Sequence, residues 1–234
     1  MKALYLSCFR ENDVAEEPLN ELIRDLRAAN LDLQVATIPT ADALRDFLLH
    51  EDLTDCDILI LGAHGHDSKT GFCVREQEVR WHDLAALLKD ALPKTCTFIF
   101  YSCNGGYPGI GHAFSKSSGP AFIFGPYIRV LPDAMTHAVK AIIDAKRSGM
   151  KTSGDARRLV ESINRWAAET YFKNYDQSFL RVLWKSGHKI SRYPNRPSRD
   201  QPAKAPIKLR DWKRSASTRS SLRPKRKTRN NGPR

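Results

Sequence analysis

Two runs of the chain are apolar without alternation. Cys56–Ala63 (CDILILGA) and Thr97–Tyr101 (TFIFY) show no polar face. Such runs read as strands buried on both sides, the pattern of a parallel sheet covered by helices. Each ends abruptly in polar and glycine residues: His64-Gly65-His66-Asp67 after the first, Ser102-Cys103-Asn104-Gly105-Gly106 after the second. Other elements follow in order. Ala3–Phe9 is a first strand. Pro18 opens a helix over Leu19–Ala29, with Leu22, Ile23, Leu26 and Ala29 on one face. Leu33–Ile38 is a second strand. Thr40 is placed to cap a helix over Ala41–His50. After His64, Gly71–Arg75 and Glu78–Trp81 form a small hairpin, and His82–Leu92 a helix that Pro93 stops. Tyr107–Ser117 holds a short helix, Ala121–Gly125 a fifth strand, Pro132–Arg147 and Asp155–Tyr171 two amphipathic helices, and Phe179–Trp184 a sixth strand. Strands alternating with helices of this length predict a mostly parallel sheet with helices on both faces.

Charge divides the chain. From Lys189 to Arg234 there are 16 Lys or Arg against Asp200 and Asp211, a net of +14, whereas the first 188 residues sum to −2. The tail is rich in Arg, Lys, Ser and Pro, so it cannot bury enough apolar surface to offset the entropy of ordering. The expected organisation is a globular domain at 1–187 and a disordered basic tail at 188–234. No apolar stretch is long enough to span a bilayer. The start turns acidic too soon for a secretory signal. Five cysteines without paired spacing argue against a disulfide framework. A cytoplasmic protein is expected, or a nuclear one if Pro224-Lys225-Arg226-Lys227 acts as an import signal.

The chemistry lies at the two strand ends. In open α/β sheets ligands bind at the carboxyl edge. If the two apolar strands are neighbours, His64 and Cys103 leave that edge side by side, an imidazole beside a thiol. Cys8, Cys56, Cys73 and Cys96 read as small core residues. His66 reads as a loop neighbour. His-Gly-His-Asp lacks the further ligand a metal site needs. The glycines past Cys103 match neither phosphate-loop pattern. No metal or cofactor is expected.

A buried strand ending in His-Gly, a hairpin and helix, and a buried strand ending in Ser-Cys before glycines resembles the order in caspase-like cysteine peptidases. The pattern continues with Gly111-His112-Ala113-Phe114, Ser118-Gly119-Pro120-Ala121, a strand and Asp133. It is most similar to the CHAT branch, the separase-like relatives. The resemblance implies a three-layer caspase-like α/β fold and a cysteine endopeptidase with a His-Cys dyad. His64 would be the catalytic histidine and Cys103 the nucleophile, with the Gly65 and Cys103 amides holding the oxyanion. Ser102 stands where the family often has Ala. By that resemblance Asp133 would hold a basic substrate side chain; read from the residues alone, it caps the helix that Pro132 opens. The implied partners are a protein or peptide substrate and a separate regulatory protein. A non-catalytic adaptor working through its tail is the rival reading. The tail itself is suited to non-specific nucleic-acid contact, with Tyr193 and Trp212 available to stack.

Overall fold

The computed structural model describes residues 1–10, 13, 15–66, 69–88, 91–106, 108–114, 120–127, 130–171, 179–186 and 189–194. The chain divides into two units, Met1–Asp200 and Gln201–Arg234. Most of the basic tail, with Trp212 and the Pro224–Lys227 run, lies outside the described residues, as do Asp67, Ser118 and Gly119.

The fold is a three-layer α/β arrangement. The elements are β1 (Lys2–Ser7), α1 (Glu16–Ala28), β2 (Asp32–Thr37), α2 (Ala41–His50), β3 (Ile58–Gly62), β4 (His64–Gly65), β5 (Gly71–Val74), β6 (Gln77–Arg80), α3 (Trp81–Leu88), β7 (Thr97–Tyr101), α4 (Pro108–Phe114), β8 (Phe122–Pro126), α5 (Pro132–Arg147), α6 (Ser153–Thr170), β9 (Leu180–Ser186) and β10 (Lys189–Tyr193). The main sheet runs β10-β9-β8-β7-β3-β1-β2, and β4-β5-β6 form a small sheet beside it. From β8 to β2 every pairing is parallel; β9 and β10 are added antiparallel.

The two unalternating runs become the central strands. Every residue of β3 and β7 is buried. One face carries Tyr5, Ile58, Ile60, Ile99 and Tyr101 against α1, α5 and α6. The other carries Leu59, Leu61, Phe98 and Phe100 against α2, α3 and α4. Thr40 caps α2, its hydroxyl accepting the Ala43 N–H at 3.1 Å. Thr152 and Asp155 form a reciprocal capping box on α6.

One element lies beyond the expected domain limit. β10 pairs with β9 from Lys189↔Ser186 to Tyr193↔Val182, so the sheet takes in residues whose composition reads as tail. Side-chain contacts hold it there: Arg157 of α6 lies over the Trp184 and Tyr193 rings, and the Tyr193 hydroxyl donates to Glu161 at 2.6 Å. Tyr193 is thus a structural contact of the sheet. No helix among the described residues is long and apolar enough to cross a membrane.

Candidate functional site

The expected juxtaposition of the two strand ends is present. β3 and β7 are parallel neighbours with Gly62 opposite Tyr101, and the Ala63 N–H donates to the Tyr101 carbonyl at 3.2 Å. The next residues on each strand are therefore side by side. Gly65 packs on the backbone of Cys103: a Cβ on Gly65 would sit 1.9 Å from the Cys103 carbonyl oxygen and 3.2 Å from the Cys103 Cβ. Only a residue without a side chain permits that approach.

The turn that carries Cys103 is fixed from several sides. The Ser102 hydroxyl donates to the Cys103 carbonyl at 3.2 Å. Asn104 adopts a left-handed conformation, φ 60°, and is buried. The Gly106 N–H donates to the Pro126 carbonyl at 2.8 Å. Beneath it lies Arg181, 2% exposed, with its guanidinium over the Tyr127 ring and Nε donating to the Pro194 carbonyl. Cys103 itself is partly exposed.

His64 gains a partner that the sequence did not point to. Its Nε2 lies 2.7 Å from Asp13 Oδ2. Asp13 follows β1, and its other oxygen accepts the Ala15 N–H at 3.0 Å. The Asp13 side chain is 9% exposed and that of His64 50%. A shielded, anchored carboxylate thus holds an accessible imidazole, with Nδ1 left as the ring's second nitrogen. Phe9 supports the ring edge-on at 5.2 Å. The signal for Asp13 was present in outline. β1 and β3 are adjacent, and their loops flank the point where the strand order reverses, the usual ligand crevice of such sheets. An acidic residue in the loop after β1 was therefore a candidate.

The other expected residues fall as follows. His66 is engaged by Glu78 at 3.6 Å. Cys73 stands opposite His64 in the β4–β5 register and is partly exposed, unlike the buried Cys8, Cys56 and Cys96. Asp133 is exposed in the first turn of α5, where the N-cap is Leu131. It does not cap the helix, although its charge suits the helix's positive end. The same turn is tied to β7, since the Tyr101 hydroxyl donates to the Pro132 carbonyl at 3.0 Å. Burial, with Asp133 adding to it, pushes the Tyr101 phenol up. Among the described residues no cluster of three His, Cys, Asp or Glu is arranged to hold a metal.

No family model matches the chain, and no curated protein does. Among solved structures, it is similar to a point mutant of flavodoxin from Pseudomonas aeruginosa, with 16% identity over 64% of this chain and 100% of that one, at a TM-score of 0.37. A short-chain flavodoxin associated with a non-canonical PDU bacterial microcompartment aligns with 17% identity over 51% of this chain and 77% of that one, at a TM-score of 0.31. These neighbours correct the expected resemblance. They are flavodoxins, not caspase-like peptidases of the CHAT branch. The endopeptidase reading and the adaptor reading drawn from that resemblance fall with it. The likeness is one of α/β architecture and assigns no ligand to this chain. At the β1/β3 crevice this chain presents the Asp13 carboxylate, and Arg10 is engaged by Glu76.

Proposed function

We propose that the chain is an enzyme whose reaction is nucleophilic attack by the Cys103 thiolate on an activated acyl group, an ester or thioester rather than a peptide bond. The observation that carries this reading is the anchored Asp13–His64 pair at 2.7 Å, on the strand end that packs against Cys103. A carboxylate that fixes an imidazole, on the residue next to the glycine that packs against the Cys103 backbone, is an arrangement suited to activating a nucleophile. His64 takes the thiol proton. Asp13 sets the orientation of the ring. The backbone amides of Gly65 and Cys103 are the candidate donors to the developing oxyanion. The choice of substrate class rests on the leaving group: a thiolate or an activated alkoxide departs without being protonated, so an ester or thioester asks least of the site.

The test is acylation by p-nitrophenyl acetate, followed by mass mapping of the adduct. Acetyl on Cys103, lost in Cys103→Ala, is expected. His64→Ala should slow it by roughly 10²–10⁴-fold, the usual contribution of a general base. Acetyl on Cys73 with Cys103 unmodified would overturn the assignment, because Cys73 also stands beside His64 in register. The compartment that suits this chemistry is the cytoplasm, since the five cysteines are free thiols.

A further inference from the structure

A pair of thiols stands at the opposite edge of the sheet. Cys56 precedes β3 and Cys96 precedes β7. The two strands pair with Ile58 opposite Thr97. The ladder continues one step back, where the Thr97 N–H donates to the Asp57 carbonyl at 2.9 Å. Cys96 therefore lies opposite Asp57, one residue along from Cys56 on the neighbouring strand. With strands about 4.8 Å apart and a rise of about 3.3 Å per residue, the two Cα atoms are about 6 Å apart. A disulfide spans about 4.4–6.8 Å between Cα atoms. A turn leads into each strand, the Cys56 N–H donating to the Leu53 carbonyl and the Cys96 N–H to the Pro93 carbonyl. Both side chains then join the same apolar cluster.

The thiols also interact. The neighbouring Cys96 holds Cys56 below the usual thiol range, while Cys56 and burial together push Cys96 up; the Cys56 thiol donates to the Ile58 carbonyl at 3.2 Å and the Cys96 thiol to the Thr97 carbonyl at 3.7 Å. Cys56 is 7% exposed behind the exposed Thr54 and Asp55, and Cys96 is fully buried. Cys8, on the same face, has its thiol pushed up to about 12 by burial alone. The pair is thus differentiated into a more acidic, more reachable sulfur and a shielded one.

We propose that Cys56 and Cys96 are a redox couple, in which hydrogen peroxide oxidises Cys56 and Cys96 resolves it to an intrachain disulfide between the residues leading into β3 and β7. The Cys56 thiolate attacks one peroxide oxygen, the O–O bond breaks, and hydroxide leaves to give the sulfenic acid. The Cys96 sulfur then attacks the Cys56 sulfur. The S–O bond breaks, and the departing hydroxide takes the Cys96 proton as water. Two thiols and one peroxide become one disulfide and two waters. A thiol reductant reverses the step.

The experiment treats the full chain with hydrogen peroxide, blocks remaining thiols with N-ethylmaleimide, and maps peptides by mass. A Cys56–Cys96 linked peptide that dithiothreitol removes is expected. The Cys96→Ser variant should stop at a Cys56 sulfenic acid that dimedone labels. The wild-type map needs no variant to fold. Cys56 and Cys96 both recovered as maleimide adducts, while Cys73 or Cys103 is oxidised, would overturn the proposal. So would dimedone on wild-type Cys96 rather than Cys56.

Discussion

At the residue scale, the site rests on contacts between segments far apart in the chain. Asp13 and His64 are 51 residues apart, and no local pattern marks them as partners. Their geometry separates two roles. The Oδ1 atom of Asp13 closes a local turn on the Ala15 N–H, and Oδ2 meets the imidazole. Asp13→Asn can keep the turn while removing the charge. The expected outcome is slower acylation of Cys103, by less than His64→Ala produces, with an unchanged unfolding midpoint. Equal rates for Asp13→Asn and the wild type would mean that the pair is a surface contact and no more. Gly65 tests a different property. A methyl group there meets the Cys103 carbonyl oxygen at 1.9 Å, which is backbone and cannot swing aside. Gly65→Ala should therefore displace the Cys103 turn, lowering stability by about 1–3 kcal/mol and reducing the acylation rate together. A denaturant midpoint and a burst rate on the same sample check both.

At the element scale, the capping box of α6 sets a pH dependence. Four donors fall on the Asp155 carboxylate: the Thr152 N–H, the Thr152 hydroxyl, the Arg158 guanidinium and, more weakly, the Lys151 N–H. These bonds hold its pKa down to about 2, from an ordinary carboxylate value. The folded form is the more acidic, so the stabilisation is fully present above the ordinary carboxylate range. It is lost as pH falls toward 2. Thr152→Ala should cost about 1 kcal/mol at neutral pH and flatten the acid limb of a stability–pH curve. A variant whose acid limb matches the wild type would refute this account. The same scale shows what the chain made legible. The bounds of α2 and α5 were readable because Thr40 and Pro132 are local signals that act on their own helices. The central strands were readable because burial on both faces leaves an unbroken apolar run. β10 was not, because Lys189, Ser191 and Arg192 resemble the basic segment beyond them. What makes the strand is its pairing with β9 and the Arg157, Trp184 and Tyr193 contact, none of it local. Likewise His64 and Cys103 were found from strand ends, whereas Asp13 needed the strand order. The peptidase family drawn from the same motifs was not borne out, since a His-Gly and a Ser-Cys at strand ends are what any parallel α/β sheet can place there.

At the scale of the whole molecule, β10 moves the division of charge. Residues 195–234 carry 14 Lys or Arg against two Asp, a net of +12, and residues 1–194 carry 24 basic and 24 acidic residues, a net of zero. All of the chain's excess charge thus resides beyond the last strand. A neutral domain exerts no long-range pull on a polyanion, so any attraction belongs to the tail. We predict that the full chain binds DNA and RNA without sequence preference, driven by release of counterions. The logarithm of affinity should fall linearly with the logarithm of salt, with a slope of roughly −0.7 to −0.9 per phosphate contacted. The informative truncation ends at Pro194. A cut at Gly187 would remove β10 and, with it, the Tyr193 hydrogen bond to Glu161. The 1–194 chain should keep its unfolding midpoint and its Cys103 acylation and lose polyanion binding. Binding that survives the truncation at the same salt slope would assign the contact to the folded domain. Acylation lost while the midpoint holds would show that the tail takes part in the site.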